Sequence, residues 1–159
     1  MLQQRSTQFT LTSPSFELNG MIPERFTCDG ANIPPKLIFM NVPKGTVSLA
    51  LTMEDLDVPH TIKSDGVWDH WVLWNIPPET TFIDANSSLG IMGANTGGET
   101  GYYGPCPPNG EHRYVFKLYA LDSALSLPEG TTKEELLNEL APHLIDQTQL
   151  TGRYRRNKP

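Results

Sequence analysis

A chain of 159 residues with a net charge of −6 is long enough for one domain with a real core, and too acidic for phosphate-backbone binding to be its main activity, because nucleic-acid domains present a basic face. Its 14 prolines, 13 glycines and only 19% charged residues argue against a helical bundle, whose polar faces need more Lys and Glu, and favour a turn-rich, mainly β fold. No apolar stretch is long enough to span a bilayer, so stable membrane insertion is not expected.

Met1 to Gln8 lacks the apolar run of a signal peptide and reads as a tail (1–8) before a single domain (9–156), with a cytoplasmic location expected. Strands are predicted near Phe9 to Thr12, Lys36 to Met40, Val47 to Glu54, His70 to Ile76 and Arg113 to Leu121, separated by Pro, Gly, Asn and Asp clusters. Thr131 or Thr132, with Glu134 or Glu135 three residues on, predicts a capped helix with Leu136, Leu137 and Leu140 as its apolar stripe; Pro142 should end or kink it. A second helical turn is expected around His143 to Gln149, then extended structure from Leu150 to Tyr154. The strands come first and the helices last, as in an antiparallel β-sandwich with short C-terminal helices. Exposed strand edges allow a homodimer. Cys28 and Cys106 are far apart and form no Cys-x-x-Cys pair, so neither a disulfide framework nor a structural zinc site is suggested, which suits a reducing compartment.

Polar groups gather where three strands begin or end. In Val47 to Glu54 the large apolar residues are odd-numbered, and the same period carries Asp55 to the core side. The count pairs His112 with Tyr114, Phe116 and Leu118 on one face, and His70 with Val72, Trp74 and Ile76 on another. A carboxylate on the core side must find donors or raise its pKa, and His70 and His112 are candidate donors. The cluster is either a hydrogen-bond network that stiffens three loops or a ligand-facing pocket. Asp57 is expected to accept from turn backbone groups and Pro59 to pin the loop's exit. Trp68, Trp71 and Trp74 read as core or rim. His60 and His143 read as ordinary surface or packing histidines, and the basic ending Arg153, Arg155, Arg156 and Lys158 as a solvated tail. The glycine-rich run from Gly97 to Gly104 lacks Gly-Lys-Ser/Thr and reads as a connector. Cys106, between prolines, reads as an inert small side chain, with a reactive thiol as the alternative.

The Asp55-Leu56-Asp57-Val58-Pro59 element, the Trp68-Asp69-His70-Trp71 element followed by Asn75-Ile76-Pro77, and the long run Gly104-Pro105-Cys106-Pro107-Pro108-Asn109-Gly110-Glu111-His112-Arg113-Tyr114 resemble the phosphatidylethanolamine-binding protein family in its bacterial, Raf kinase inhibitor-like branch. The resemblance runs in order from about Phe9 to about Arg155 and implies that family's β-sandwich. It implies a small anion site at Asp55, His70, His112 and Tyr114, with Pro108 as an apolar wall and Asp57, Pro59, Trp68, Gly104 and Cys106 around them. Leu56 stands where the family's proline is usual. The segment from His60 to Val67 is longer than in many bacterial relatives and is a candidate rim.

Imidazole N–H and phenol O–H groups suit a phosphate or phosphate-ester head group. Asp55 would repel that anion unless it holds a protonated histidine or meets the ammonium of a zwitterion such as phosphoethanolamine. The expected function is therefore a non-enzymatic binding protein for phosphate or phosphoethanolamine-like groups that regulates a protein partner, needing no cofactor or tightly bound metal. The alternatives are a kinase or protease inhibitor acting through loops such as Val58 to Val67, and a small hydrolase using His70 or His112 as base or Asp55, His70 and His112 as metal ligands.

Overall fold

The computed structural model describes residues 8–156. Two antiparallel sheets face each other. The smaller contains β1 (Thr10–Thr12), β2 (Leu37–Met40) and β5 (Phe82–Ile83) in the order β1-β2-β5; the larger contains β3 (Ser48–Asp55), β4 (Trp68–Ile76), β6 (Ile91–Met92), β7 (Glu111–Leu121) and β8 (Leu144–Arg155) in the order β6-β4-β3-β7-β8. One α-helix, α1 (Lys133–Leu140), is followed by a 3₁₀ turn at Ala141–His143. The fold is mainly β, as the composition implied. Among the described residues no helix is long and apolar enough to cross a membrane.

The central strand β3 is buried along its whole length because both its faces are covered. Its odd face, with Leu49, Leu51 and Met53, packs in the sandwich core with Leu37 and Phe39 of the small sheet and Tyr114, Phe116 and Leu118 of β7. Its even face carries Ala50, which joins Val72, Trp74, Leu121, Leu136 and Leu140 in a second core under α1. The capping box of α1 is complete: Thr132 Oγ1 accepts from the Glu135 amide while the Glu135 side chain accepts from the Thr132 amide.

β4 departs from simple alternation twice. Met53 faces Trp71 and Glu54 faces Asp69, so His70 is an extra residue with no partner on β3. A second irregularity lies between the pairs Leu49–Ile76 and Leu51–Leu73, where Asn75 adopts a positive φ of 55°. The single face expected for His70, Val72, Trp74 and Ile76 is therefore split. Val72 and Trp74 face the helix, whereas Ile76 joins the sandwich core and His70 turns to the side of Asp55.

Three further expectations are corrected. Residues 144–149 are not helical: they begin β8, whose ladder with β7 supplies the backbone partners that an isolated polar segment lacks. Cys28 and Cys106 form a disulfide, with Cα atoms 5.4 Å apart across 78 residues of sequence, because the loops carrying them fold against one another. The pairing removes the support that two separate cysteines gave to a reducing, cytoplasmic location, and it leaves no reactive thiol at Cys106. Finally, the basic ending is tied into the fold. Arg153 pairs with Glu111, and Arg156 with Asp29, which also accepts from the Tyr154 hydroxyl; Lys158 lies outside the described residues.

Candidate functional site

Asp55 ends β3 and lies opposite Tyr114 on β7 and Trp68 at the start of β4. These three strand ends, with the loops 58–62 and 103–108, enclose a cavity of about 230 Å³ lined by Asp55, Val58, Ile62, Trp68, His70, Tyr103, Cys106 and Pro108. The β4 bulge supplies the key side chain. Strict alternation from Trp71 would turn His70 toward α1 with Val72 and Asp69 toward the core; the bulge reverses both, so Asp69 pairs with Lys133 on the helix side.

His70 is almost wholly buried, and its Nδ1 lies 2.6 Å from the Tyr103 carbonyl oxygen. A carbonyl only accepts, so Nδ1 carries the proton and Nε2 of the neutral ring carries the lone pair. Burial pushes the imidazole below its ordinary pKa, outweighing the Tyr103 carbonyl and the carboxylates of Asp55 and Asp69, which favour the charged ring. The free site thus holds a neutral histidine at pH 7.

Asp55 is held at both oxygens. Oδ1 accepts from the Asp57 amide at 2.8 Å, and Oδ2 accepts from His112 Nδ1 at 2.7 Å. His112 and Tyr114 do not reach the cavity surface. They stand behind Asp55 as a buried layer, the Tyr114 ring lying between His70, edge-on at 5.4 Å, and His112, stacked at 6.5 Å. The Tyr114 hydroxyl lies beside the Asp55 carboxylate and the Cys106 amide without a well-formed hydrogen bond; burial, and then the negative charge of Asp55, raise its pKa far above the usual phenol range.

Asp57 plays a different part from the turn acceptor expected of it. It receives Arg113 through the backbone amide, Nε and a terminal nitrogen at 2.8–3.0 Å, and the Arg113 guanidinium, by hydrogen bonding, holds its carboxyl below the usual carboxylate range. The self-capping turn belongs to Asp55 instead. The Pro59 carbonyl accepts from Ile62 and Lys63, which shapes the loop that brings Ile62 to the cavity. Leu56 donates its amide to the Arg113 carbonyl, a bond that a proline there could not make.

The opposite wall is the segment from Tyr102 to Pro108. The Tyr102 hydroxyl donates to the Phe26 carbonyl, the Tyr103 amide to His70, and the Gly104 amide to Asn32 Oδ1. A side chain at Gly104 would collide with the Phe26 carbonyl oxygen, so glycine lets this wall pack against the 26–32 turn. Across Trp68 and Tyr103 lies a second cavity of about 240 Å³, which these two rings share with Asn95, Gly97 and Glu99.

Of the predicted site residues, Asp55, His70 and Pro108 line the cavity, as do Trp68 and Cys106; His112 and Tyr114 support it from behind, and Asp57, Pro59 and Gly104 shape its loops. Sequence reasoning missed Tyr103 as a wall residue and included Val58 only as part of the Asp55–Pro59 element and of the loop from Val58 to Val67. Ile62 fell only within a candidate rim. His143, read as an ordinary surface or packing histidine, pairs with Asp122 at 2.9 Å, and His60 Nδ1 donates to the Ser64 carbonyl. Among the described residues no group of three or more His, Cys, Asp or Glu side chains is arranged to hold a metal ion.

The sequence pattern of the family described as phosphatidylethanolamine-binding protein matches residues 12–155. A UPF0098 protein of Chlamydia trachomatis is 42% identical over 148 residues, covering 92% of this chain and 99% of that protein. One from Methanothermobacter thermautotrophicus is 43% identical over 153 residues, covering 92% and 98%. The crystal structure of a phosphatidylethanolamine-binding protein homologue, CT736 of C. trachomatis, superposes with a TM-score of 0.93 at 41% identity, over 96% of this chain and all of that one. That of E. coli YbcL, described as a member of the mammalian family, superposes with a TM-score of 0.83 at 26% identity, over 94% and 99%.

Proposed function

We propose that this chain, which belongs to the phosphatidylethanolamine-binding protein family, holds a phosphate group or phosphate ester in the cavity of Asp55 and His70 without converting it. The observation that carries this reading is the fixed tautomer of His70. Its Nδ1 is committed to Tyr103, so Nε2 is the ring atom left to meet a ligand. A phosphate oxygen meets that lone pair favourably in two ways: as a monoanion that donates its own O–H, or after the imidazole takes up a proton. Both make affinity rise as pH falls. Asp55 is less repulsive than a free carboxylate because both its oxygens accept hydrogen bonds. Glu99, in the adjoining cavity, offers a second carboxylate where the ammonium of phosphoethanolamine would extend past the Trp68 and Tyr103 rings.

Binding without turnover fits the wall chemistry, since the only sulfur lining the cavity, that of Cys106, is already in a disulfide and is no thiol nucleophile. A second reading, inhibition of a kinase or protease partner, is favoured by the exposed apolar side chains of Ile62 and Tyr103 at the mouth. The complexed carboxypeptidase Y inhibitor, at 20% identity and a TM-score of 0.59, is alike in fold alone.

Isothermal titration with inorganic phosphate and with phosphoethanolamine tests the proposal. His70→Ala should abolish binding of both. Glu99→Gln should weaken only phosphoethanolamine, by less than about fivefold because Glu99 is exposed. Undiminished phosphate binding by His70→Ala would refute the site, and a pull-down retained by that variant would favour the inhibitor reading.

A further inference from the structure

We infer that the disulfide Cys28–Cys106 makes ligand binding in the cavity responsive to thiol redox state; this rests on the phosphate-binding reading above. Cys106 lines the cavity beside Pro108, and its partner Cys28 sits on a separate turn. That turn is firmly held. Asp29 accepts from the Tyr154 hydroxyl and from Arg156, which fixes it to the end of β8, and the Cys28 amide donates to the Pro105 carbonyl.

Beyond Pro105 the wall has few backbone ties of its own, and only Pro107 in it is buried. Residues 105, 107 and 108 are prolines and donate no backbone hydrogen bond, so Cys106 carries the only amide between Pro105 and Pro108. Upstream, Tyr102, Tyr103 and Gly104 keep their bonds to Phe26, His70 and Asn32 whatever the state of the sulfurs. The covalent tie therefore acts on Cys106 to Gly110, the part of the wall that contains Pro108.

Both cysteines are half-buried, within reach of a dithiol reductant. One thiolate of the dithiol attacks a cysteine sulfur, breaking the protein S–S bond and forming a mixed disulfide; its second thiolate then displaces the other cysteine. Two electrons and two protons pass to Cys28 and Cys106, and the dithiol leaves as a disulfide. Freed of its anchor, the Pro108 wall must be reordered each time a ligand binds, and affinity falls.

The test compares phosphate binding by the oxidised protein, by the protein reduced with dithiothreitol, and by the Cys28→Ser/Cys106→Ser double variant, with free thiols counted and amide NMR spectra recorded in each state. Reduction should weaken binding by about fivefold, the variant should match the reduced protein and ignore dithiothreitol, and ligand-free amide shifts should be confined to Cys28 and to Cys106 through Gly110. Equal affinity in the oxidised and fully reduced states would overturn the inference while leaving the binding site in place. Phosphate binding in neither state would instead refute the site, and the inference with it. Global unfolding on reduction would also overturn it, because the disulfide would then hold the whole fold and not one wall.

Discussion

Asp55 Oδ2 and His112 Nδ1 stand 2.7 Å apart, with both side chains almost completely buried. The pair joins the end of β3 to β7 directly behind the cavity. Asp55→Asn keeps the shape but leaves one side-chain oxygen for two donors, the Asp57 amide and His112. Stability should fall by about 2 kcal/mol in urea unfolding, the cost of an unsatisfied buried donor. Unfolding unchanged from wild type would show that the pair does not stabilise the fold.

His70 predicts a pH dependence of stability. Its folded pKa lies below the unfolded value of about 6.5, so between the two the unfolded chain binds more protons. Its contribution is fully present above about pH 6.5 and is lost as pH falls toward the folded pKa. Urea unfolding from about pH 8 to about pH 5 should show a loss that His70→Gln reduces. Sulfate, which does not titrate in this range, should bind more tightly as pH falls, by at most about tenfold per unit for one linked proton. Identical slopes in the two proteins would contradict the buried neutral histidine.

Gly104→Ala should damage both fold and site. The new methyl would meet the Phe26 carbonyl and Asn32 Oδ1, and backbone on one side cannot yield cheaply. A loss of about 2 kcal/mol in thermal unfolding is expected, with weaker phosphate binding as the wall shifts off His70.

Lys133 anchors α1 to the sheet through Asp69 at 2.6 Å and Glu54 at 3.2 Å. Burial works to lower its pKa, but the two carboxylates prevail and hold it above the usual lysine value. Lys133→Met leaves Asp69 without this partner and the buried Glu54 with Lys117 alone, and should cost about 3 kcal/mol by chemical denaturation. A neutral effect would mean that the methionine's packing offsets the lost charge.

β3 and β7 were legible because their alternation persists for seven or more residues, β4 because of its dense run of aromatic and aliphatic residues, and α1 because its cap and stripe agree. β5 and β6 were not, since two residues carry no period and these pairs exist only through tertiary contact. The same reason hid β8 before Leu150: Ile145-Asp146-Gln147-Thr148 is a polar edge whose conformation its neighbour decides. Asp55, His70, Pro108, His112 and Tyr114 were grouped as a set chiefly through the family resemblance, and the structure brings them together at and behind one cavity. Their layering was not found, because parity could not reveal the extra residue in β4. The Cys28–Cys106 bond was missed because pairing across 78 residues leaves no local motif.

The bulge at His70 also bears on how this site tolerates changes in length. Its aim depends on one surplus residue between the paired positions Asp69 and Trp71, so it is set by counting as much as by chemistry. Excising that residue would restore a regular ladder and leave no imidazole lining the cavity, while duplicating it would displace Trp68 and Asp69 from Asp55 and Glu54. Substitutions at neighbouring positions alter single contacts, whereas a one-codon insertion or deletion here would re-aim the whole end of β4 and take the His70 ring out of the cavity.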